Sequence, residues 1–261
     1  MIYKDNTSIV LFVLLVAVVI SSGCIENSST SLDSDFDLDH REISVNSSGQ
    51  EIYSESMSQV SEISNYSVDA DNRMAMNLPV VSVTVNLTSN GIFEQDSYRV
   101  NSSGSLGINF GGNSNSTDFE TQVTSGDNTT TVYKQTENQE SSSEVEIYSR
   151  EDLGVSLESL QEISIEDASV LGVSNLSGEE NLLVNLTVNG SDLVSNSEQV
   201  FEVHSLVQES TEEDQMSNLE TFDTAQAYLW TGRDDRIPSK FAYYGSAGNG
   251  SIQVRSVTNY R

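Results

Sequence analysis

Two segments of the chain alternate between apolar and polar residues, and this alternation predicts how they fold. In residues 79–93, PVVSVTVNLTSNGIF, the apolar positions are Val81, Val83, Val85 and Leu87. In residues 180–190, ENLLVNLTVNG, they are Leu182, Val184, Leu186 and Val188. Because successive side chains of a strand point to opposite faces, each segment predicts a strand with one apolar and one polar face. A sheet built from such strands needs a cover for its apolar face, and helices are the obvious cover.

Other segments supply both helices and further strands. Apolar residues at helical spacing predict helices near 52–63, 152–162 and 192–208. Strands are predicted near 97–101, 106–110, 117–124, 129–136, 144–149, 222–231, 236–245 and 250–260. The pair Asn90-Gly91 predicts a tight hairpin. Together these elements predict an α+β fold in a single domain over residues 51–261.

The start of the chain has the pattern of an export signal. Residues 9–20 are apolar throughout, and Lys4 precedes them. As a helix they would be about 18 Å long, whereas a bilayer core is about 30 Å thick. The segment therefore has the length of a signal-peptide core, and residues 1–23 are predicted to be a signal peptide.

The only cysteine, Cys24, follows this segment directly after small residues. The arrangement resembles a lipobox, at which a lipid is joined to a cysteine that becomes the new N-terminus, although Ser21 stands where Leu, Ile or Val is usual. A diacyl- or diether-glyceryl group would supply two chains, enough for stable anchoring. Residues 24–50 are then a flexible, lipid-anchored tether on the outer face of the plasma membrane. The alternatives are an uncleaved short anchor, or ordinary cleavage that leaves Cys24 as a free thiol.

The composition limits the partners of the chain. It has 40 acidic and 11 basic residues, with a net charge of −29. This charge repels nucleic acid and disfavours docking on anionic lipid headgroups through a basic patch. An acidic, lysine-poor surface resembles that of halophilic proteins, and we expect an archaeal chain; an acidic surface protein at ordinary salt is the alternative.

Sequons for N-glycosylation are frequent in this chain. Besides Asn6 in the leader, they lie at Asn27, Asn46, Asn65, Asn86, Asn101, Asn115, Asn128, Asn175, Asn185, Asn189 and Asn249. In an exported protein this favours an N-glycosylated surface. The alternative is that a chain rich in Ser and Asn forms sequons by chance, and that many of them are not glycosylated.

No pattern in the sequence indicates catalysis, a metal or a cofactor. Acidic residues alternate at Asp33, Asp35, Asp37 and Asp39. Read as an EF-hand loop from Asp33, the required Gly and Glu positions hold Leu38 and Ser44. The two histidines, His40 and His204, are isolated in the sequence, which disfavours a zinc site. We therefore expect a protein that is not an enzyme.

The C-terminal segment AYLWTGRDDRIPSKFAYYGSAGNGSIQVRSVTNY, residues 227–260, resembles the ending of lipoprotein-carrier-like proteins of the LolA/LolB/LppX type. The matching residues are Trp230, Arg233, Asp234, Asp235, Ile237, Pro238, Lys240 and Phe241. The segment SEISNYSVDADNRMAM, residues 61–76, is similar as well. The resemblance implies an unclosed antiparallel β half-barrel with helices packed on its concave face, and an apolar cavity that can hold acyl chains.

Two hypotheses about function follow. The first is a lipid-anchored binding or carrier protein that holds an apolar ligand, such as a lipid, in the half-barrel. Its cavity wall is expected to include some of Val81, Val83, Val85, Leu87, Leu182, Val184, Leu186 and Trp230. The second is a structural or adhesive envelope glycoprotein in which the same residues form a filled core. The sequence indicates no protein partner for either role.

Overall fold

The structure of the protein is a computed structural model that describes residues 31–126, 129–137, 140–145, 148–205 and 219–261. The predicted signal peptide, Cys24 and the sequons at Asn27 and Asn128 lie outside these ranges.

The described chain forms two α-helices, two short 3-10 helices and eleven strands. The helices are α1 (Gly49–Val60) and α2 (Gly190–His204). The 3-10 helices are Glu151–Leu153 and Glu158–Glu162. The strands are β1 (Tyr66–Asn77), β2 (Val81–Glu94), β3 (Ser97–Phe110), β4 (Asn113–Ser125), β5 (Thr130–Thr136), β6 (Glu140–Val145), β7 (Ile165–Leu176), β8 (Glu179–Val188), β9 (Thr224–Gly232), β10 (Pro238–Ala247) and β11 (Ile252–Tyr260).

All eleven strands belong to one sheet, in the order β6-β5-β4-β3-β2-β1-β11-β10-β9-β8-β7. Each pair of neighbours is antiparallel. The first and last strands of the series, β1 and β11, pair at the centre and so join the two halves of the sheet. The edge strands β6 and β7 do not pair with each other, and the sheet stays open. This confirms the predicted α+β class and the unclosed antiparallel half-barrel.

The alternation seen in the sequence assigns the two faces of the sheet. In β8, Leu182, Val184 and Leu186 belong to the main core together with the buried sides of α1 and α2. We call this side the inner face and the opposite side the outer face. Asn86 on β2 and Asn185 on β8 lie on the outer face, the first exposed and the second half-buried.

Helix α1 begins with a capping box that fixes its first turn. Ser48 Oγ accepts a hydrogen bond from the Glu51 backbone N–H at 3.2 Å, and Glu51 Oε2 accepts one from the Ser48 N–H at 2.8 Å. Gly49 packs so closely on β7 that a Cβ atom there would lie 2.3 Å from the carbonyl oxygen of Ala168. Glycine at this position therefore lets the helix lie directly against the edge strand. The helix predicted near residues 52–63 is confirmed, with its start slightly earlier.

Helix α2 is held at its C-terminal end by the inner face of β4 and β5. Thr121 Oγ1 donates a hydrogen bond to the carbonyl oxygen of His204 at 2.9 Å. Lys134 Nζ donates to the carbonyl oxygen of Ser205 at 2.7 Å. A cation at this point is favourable, because the last carbonyls of a helix carry partial negative charge. The helix predicted over 192–208 is confirmed as far as the chain is described, and it begins at Gly190.

The predicted hairpin at Asn90-Gly91 is wrong, because both residues lie inside β2. Gly91 faces the core, where a Cβ atom would lie 2.8 Å from a methyl carbon of Val68. The glycine is needed for close packing between strands rather than for a turn. The chain reverses later, between Glu94 and Ser97.

The segment after β6 also differs from the prediction. The helix predicted over 152–162 is two 3-10 helices, because Gly154 adopts a left-handed backbone (φ +66°) that ends the first of them. The strand β7, which follows, was not predicted. Two register irregularities interrupt its pairing with β8, near Asp167 and between Val170 and Gly172, and they break the alternation in its sequence.

The described start of the chain, predicted to be a flexible tether, lies against the outer face of the sheet. We call residues 31–41 the N-terminal strap. Its aspartates are exposed and the residues between them are half-buried. The Leu32 N–H donates to Gln253 Oε1 of β11 at 2.7 Å, and the Arg41 N–H donates to the carbonyl oxygen of Val173 in β7 at 2.8 Å. The strap therefore crosses the sheet from β11 to the β7 edge.

The strap covers a second apolar cluster. Leu183, Trp230 and Ala242 are buried on the outer face, and Phe36 and Leu38 pack against them. The guanidinium carbon of Arg255 lies 4.7 Å from the ring centroid of Phe36. The prediction of a flexible tether was based on the acidic residues of the strap, which are exposed. The apolar residues between them contact the sheet and hold the strap on it. No helix within the described ranges is long and apolar enough to cross a bilayer.

Candidate apolar ligand site

The residues predicted to line a cavity fall on both faces of the sheet. Those on the inner face, all buried, are Val81, Val83, Val85, Leu87, Leu182, Val184 and Leu186. Trp230 lies on the outer face, in contrast to the expectation, because its neighbour Leu229 pairs with Val184 and occupies the main core. Strand alternation then places Trp230 under the strap.

The space between α1 and the inner face is filled by side chains. Its lining residues are Tyr53, Met57, Leu160, Ile163, Leu186, Leu229 and Phe241, and they leave no room for a water-sized sphere. Tyr53 Oη donates to the carbonyl oxygen of Ile163 at 3.0 Å. Burial, with a contribution from the charge of Asp192, raises the pKa of Tyr53 to about 12. This region is an ordinary packed core rather than a preformed cavity.

A larger space opens at one end of the half-barrel. This end cleft has a volume of about 290 Å³. Its apolar and aromatic lining consists of Ile63, Tyr66, Leu157, Ile237, Pro238 and Tyr260. The lining comes from the residues after α1, the start of β1, the 3-10 region, the β9–β10 hairpin and the end of β11. The side chain of Ile237, at the mouth, is 39% exposed. In the described part of the chain the other exposed large apolar side chain is that of Ile92, at 59%.

The aromatic walls of the end cleft are electrically neutral. Tyr66 Oη donates to the carboxylate of Glu158 and accepts a hydrogen bond from the Leu157 N–H at 3.2 Å. Burial raises the pKa of Tyr66 well above its usual value, and the charge of Glu158 adds to this effect. Burial likewise raises the pKa of Tyr260. Both phenols therefore stay protonated and present apolar ring surface to the cleft.

The rim of the end cleft is polar, with two carboxylates and one guanidinium group. It consists of Asn65, Glu179, Asn181, Gly232, Asp235, Ser239 and Arg261. The Arg261 guanidinium lies 3.0 Å from the carboxylate of Asp69, which offsets its charge. The rim therefore favours a neutral or cationic group over an anionic one.

A separate, open groove lies on the outer face across β2–β5. Its volume is about 530 Å³, and its lining residues are Asn86, Thr88, Ser103, Gly104, Ser105, Asp118, Phe119, Glu120, Gln135, Thr136 and Glu137. Most of these side chains are hydroxyl, amide or carboxylate groups. The groove thus has polar chemistry, unlike the end cleft, and it contains the sequon at Asn86.

The described sequons are accessible at the surface. The exposed ones are Asn46, Asn65, Asn86, Asn101, Asn115, Asn175, Asn189 and Asn249, and Asn185 is half-buried. Asn189 also caps α2, since its Oδ1 accepts a hydrogen bond from the Ser191 N–H at 3.1 Å. This bond leaves its Nδ2 atom, the point of glycan attachment, uninvolved in the cap.

The buried histidine has a structural environment. His204 is 0% exposed, and its Nε2 lies 3.0 Å from the carbonyl oxygen of Leu153. Its Nδ1 has no hydrogen-bond partner in the described part of the chain. Burial lowers the pKa of His204 to about 4, with a smaller contribution from the charge of Lys134, although the hydrogen bond to Leu153 opposes the shift. Among the described residues, no group of three or more His, Cys, Asp or Glu side chains is placed to hold a metal ion.

The residues that form the end cleft were not predicted from the sequence. Ile237 and Pro238 were noticed only as part of the C-terminal resemblance. Ile63 was read as the end of a helix, and Leu157 as a helical core position. The cleft depends on how the β9–β10 hairpin lies beside the residues after α1, which a sequence pattern does not encode.

Comparison with known proteins gives likenesses to solved structures alone. No protein-family model and no curated protein matches the chain. Similar solved structures include LprF from Mycobacterium bovis, with a TM-score of 0.41 and 12% identity over 82% of this chain and 91% of that one. The lipoprotein LppX from Mycobacterium tuberculosis has a TM-score of 0.34 and 10% identity over 80% and 92%. A β-barrel-like protein of a domain of unknown function from Brucella abortus has a TM-score of 0.29 and 9% identity over 76% and 98%. These likenesses concern general arrangement and carry no conclusion about function.

Proposed function

We propose that this chain is a lipid-anchored protein of the cell exterior that binds an apolar ligand without covalent chemistry. The observation that carries the proposal is the end cleft, a space of about 290 Å³ with neutral apolar walls and an exposed isoleucine at its mouth. Binding would be driven by removal of apolar surface from water, with about 0.8 kcal/mol for each methylene group buried.

The size and charge of the end cleft define the ligand class. Its volume of about 290 Å³ lies just below the usual range for ligand pockets, about 300–1,000 Å³. It therefore suits one hydrocarbon branch or chain end rather than a whole lipid. The acidic rim at Glu179 and Asp235 favours a neutral or cationic head group outside the cleft.

The anchor in this proposal is Cys24, lipidated after removal of residues 1–23, and the exposed sequons carry N-glycans. The location of the domain is then the outer face of the plasma membrane of an archaeal cell living in salt. Changing Cys24 to Ser tests the anchor: the variant is expected in the soluble fraction of the native host, and a variant that still sediments with membranes contradicts it.

Ligand binding is tested with residues 31–261, produced without the leader. Native mass spectrometry is expected to show a co-purified or added neutral lipid on the wild-type domain. The variant Ile237→Asp is expected to lose it, since a charge at the mouth opposes entry of a hydrocarbon chain. Ile92→Asp, which alters the other exposed isoleucine, is the matched control and should bind normally.

The binding role is contradicted if the wild-type domain carries no lipid in native mass spectrometry and also does not bind a fluorescent fatty-acid ester. That result would favour a structural envelope protein. The filled space between α1 and the sheet is the observation that supports this alternative.

A further inference from the structure

One of the sequons lies on the rim of the end cleft. The triplet Asn65-Tyr66-Ser67 has the pattern for N-glycosylation. Asn65 is exposed and is a lining residue of the cleft, and the next residue, Tyr66, forms part of its aromatic wall. Of the sequon asparagines in the described ranges, Asn65 is the one that borders this cleft. A glycan attached here would therefore start at the mouth of the proposed ligand site.

The side-chain amide of Asn65 is oriented by its neighbours. Its Oδ1 atom accepts a hydrogen bond from the Gln95 N–H at 3.2 Å, in the turn between β2 and β3. Its Nδ2 atom donates to Ser64 Oγ at 3.3 Å. N-glycosylation replaces one of the two hydrogens on Nδ2 and leaves Oδ1 able to accept. The bond to Gln95 is therefore compatible with glycosylation, and it would hold the first sugar at the rim.

The rim and the mouth suit contact with a sugar chain. The carboxylates of Glu179 and Asp235 can accept hydrogen bonds from sugar hydroxyls. The side chain of Ile237 is 39% exposed at the mouth, and a glycan lying across the rim would cover this apolar surface. The apolar walls below the rim disfavour entry of the sugars themselves, because their hydroxyls would lose their hydrogen bonds there. The glycan would thus stay at the mouth.

We propose that a glycan on Asn65 acts as a gate of the end cleft. In the ligand-free protein its sugars lie across the mouth, and an apolar ligand enters only when they move aside. The inference rests on the proposed binding of a ligand in this cleft and on glycosylation of Asn65. Only the open fraction of the protein is then competent to bind, so the gate lowers the association rate and the affinity by that fraction and leaves the dissociation rate unchanged.

The size of the effect follows from the strength of the contacts between sugar and rim. One or two net hydrogen bonds correspond to a closed-to-open ratio of about ten. Removing the glycan should therefore speed ligand association about tenfold and lower Kd by the same factor. A gain of this kind is informative, because a variant that is merely damaged would bind the ligand more weakly.

Loss of the sequon without loss of Asn65 tests this gate. Ser67→Ala removes the hydroxyl that the sequon requires and keeps the Asn65 amide with its bond to Gln95. Ser67→Thr keeps the sequon and controls for a change at this residue. Thr117→Ala is the matched control, since it removes the sequon of Asn115 on β4, outside the lining of the end cleft, by the same kind of change.

The proteins are purified from the native host as Cys24→Ser variants, which keep the sugars and lack the lipid. Glycopeptide mass spectrometry measures the occupancy of Asn65, and stopped-flow fluorescence with a fluorescent fatty-acid ester measures the association and dissociation rates. Ser67→Ala should associate about tenfold faster than the parent protein and dissociate at the same rate. Ser67→Thr and Thr117→Ala should have the rates of the parent.

A host without N-glycosylation separates the sugar from the side chain. Residues 31–261 produced there should associate with the ester at the faster rate, and Ser67→Ala should change nothing. A difference between these two sugar-free proteins would mean that the side chain itself sets the rate, which overturns the gate.

The remaining outcomes distinguish the gate from the ligand site. If Asn65 carries no glycan, or if Ser67→Ala from the native host associates no faster than its parent, the gate is overturned while ligand binding stands. If no protein of the series binds the ester, the proposed ligand site is overturned, and the gate with it.

Discussion

Acidification is expected to destabilise the domain through one buried side chain, His204. The Nε2 atom lies 3.0 Å from the Leu153 carbonyl oxygen and therefore carries the proton of the neutral ring. A second proton would have to sit on Nδ1, which has no partner in the described structure. Lys134, bound to the end of the same helix, adds an unfavourable positive charge. Burial is the largest cause, and together with the charge of Lys134 it lowers the pKa of His204 from 6.5 to about 4, although the hydrogen bond to Leu153 opposes the shift.

The sign of the effect follows from proton linkage. Between pH 6.5 and 4 the unfolded chain binds a proton at this residue and the folded chain does not, so stability falls as the pH falls. The loss relative to pH 8 is about 2 kcal/mol at pH 5 and about 3 kcal/mol at pH 4.

The assay is urea unfolding of residues 31–261 from pH 4 to 8 in high salt, which screens the many surface carboxylates. His204→Gln is the comparison variant, since it cannot titrate and its amide N–H can still donate to Leu153. The wild type should lose about 2 kcal/mol more than the variant between pH 8 and 5. Identical pH dependence of the two proteins would refute a buried, neutral His204.

Three further outcomes are expected. F36A/L38A should shift the fluorescence of Trp230, the only tryptophan, to longer wavelength, because the strap excludes water from its ring; an unchanged emission maximum contradicts this packing. Ser48→Ala removes the side-chain cap of α1 and should lower the free energy of unfolding by about 1 kcal/mol in urea titrations, whereas no loss would argue against the capping box. Leu229→Ala, at a fully buried position of β9, should cost about 2–5 kcal/mol in the same assay, and a cost below 1 kcal/mol would contradict a packed core.

The alternating strands could be predicted from the sequence because burial of one face imposes a period of two. Leu182, Val184 and Leu186 lie in the core of the structure, and Leu183 lies on the outer face. The same reasoning failed for β7, because its register irregularities interrupt the period. It also misplaced Trp230, since residue size alone does not say which face of a strand is buried.

Two short motifs that differ at one position have different structures in this chain. The segment VNLTSNG, residues 85–91, lies wholly inside β2. The segment VNLTVNG, residues 184–190, leaves β8 and enters α2, with Asn189 as the helix cap. The local sequence is nearly the same, so the difference comes from tertiary contacts such as the packing of Gly91 against Val68.

The strap shows how a pattern can be present and still be misread. Its aspartates at alternate positions suggested a solvated tether, and they are indeed exposed. The intervening Leu32, Phe36 and Leu38 carry the strand-like apolar period, and they contact the sheet. The outer apolar cluster that receives them becomes visible only when Leu183 and Trp230 are brought together by strand pairing.

Isoleucine methyl NMR tests ligand binding at the end cleft most directly. Residues 31–261 with labelled isoleucine methyl groups are titrated with a neutral monoacylglycerol below its micelle concentration. The methyl signals of Ile63 and Ile237, which line the cleft, are expected to shift in a saturable manner, while that of Ile92, exposed on the outer face, stays unchanged. Shifts at Ile92 equal to those at Ile237, or no saturable shift at either cleft residue, would contradict an apolar ligand site at this end of the half-barrel.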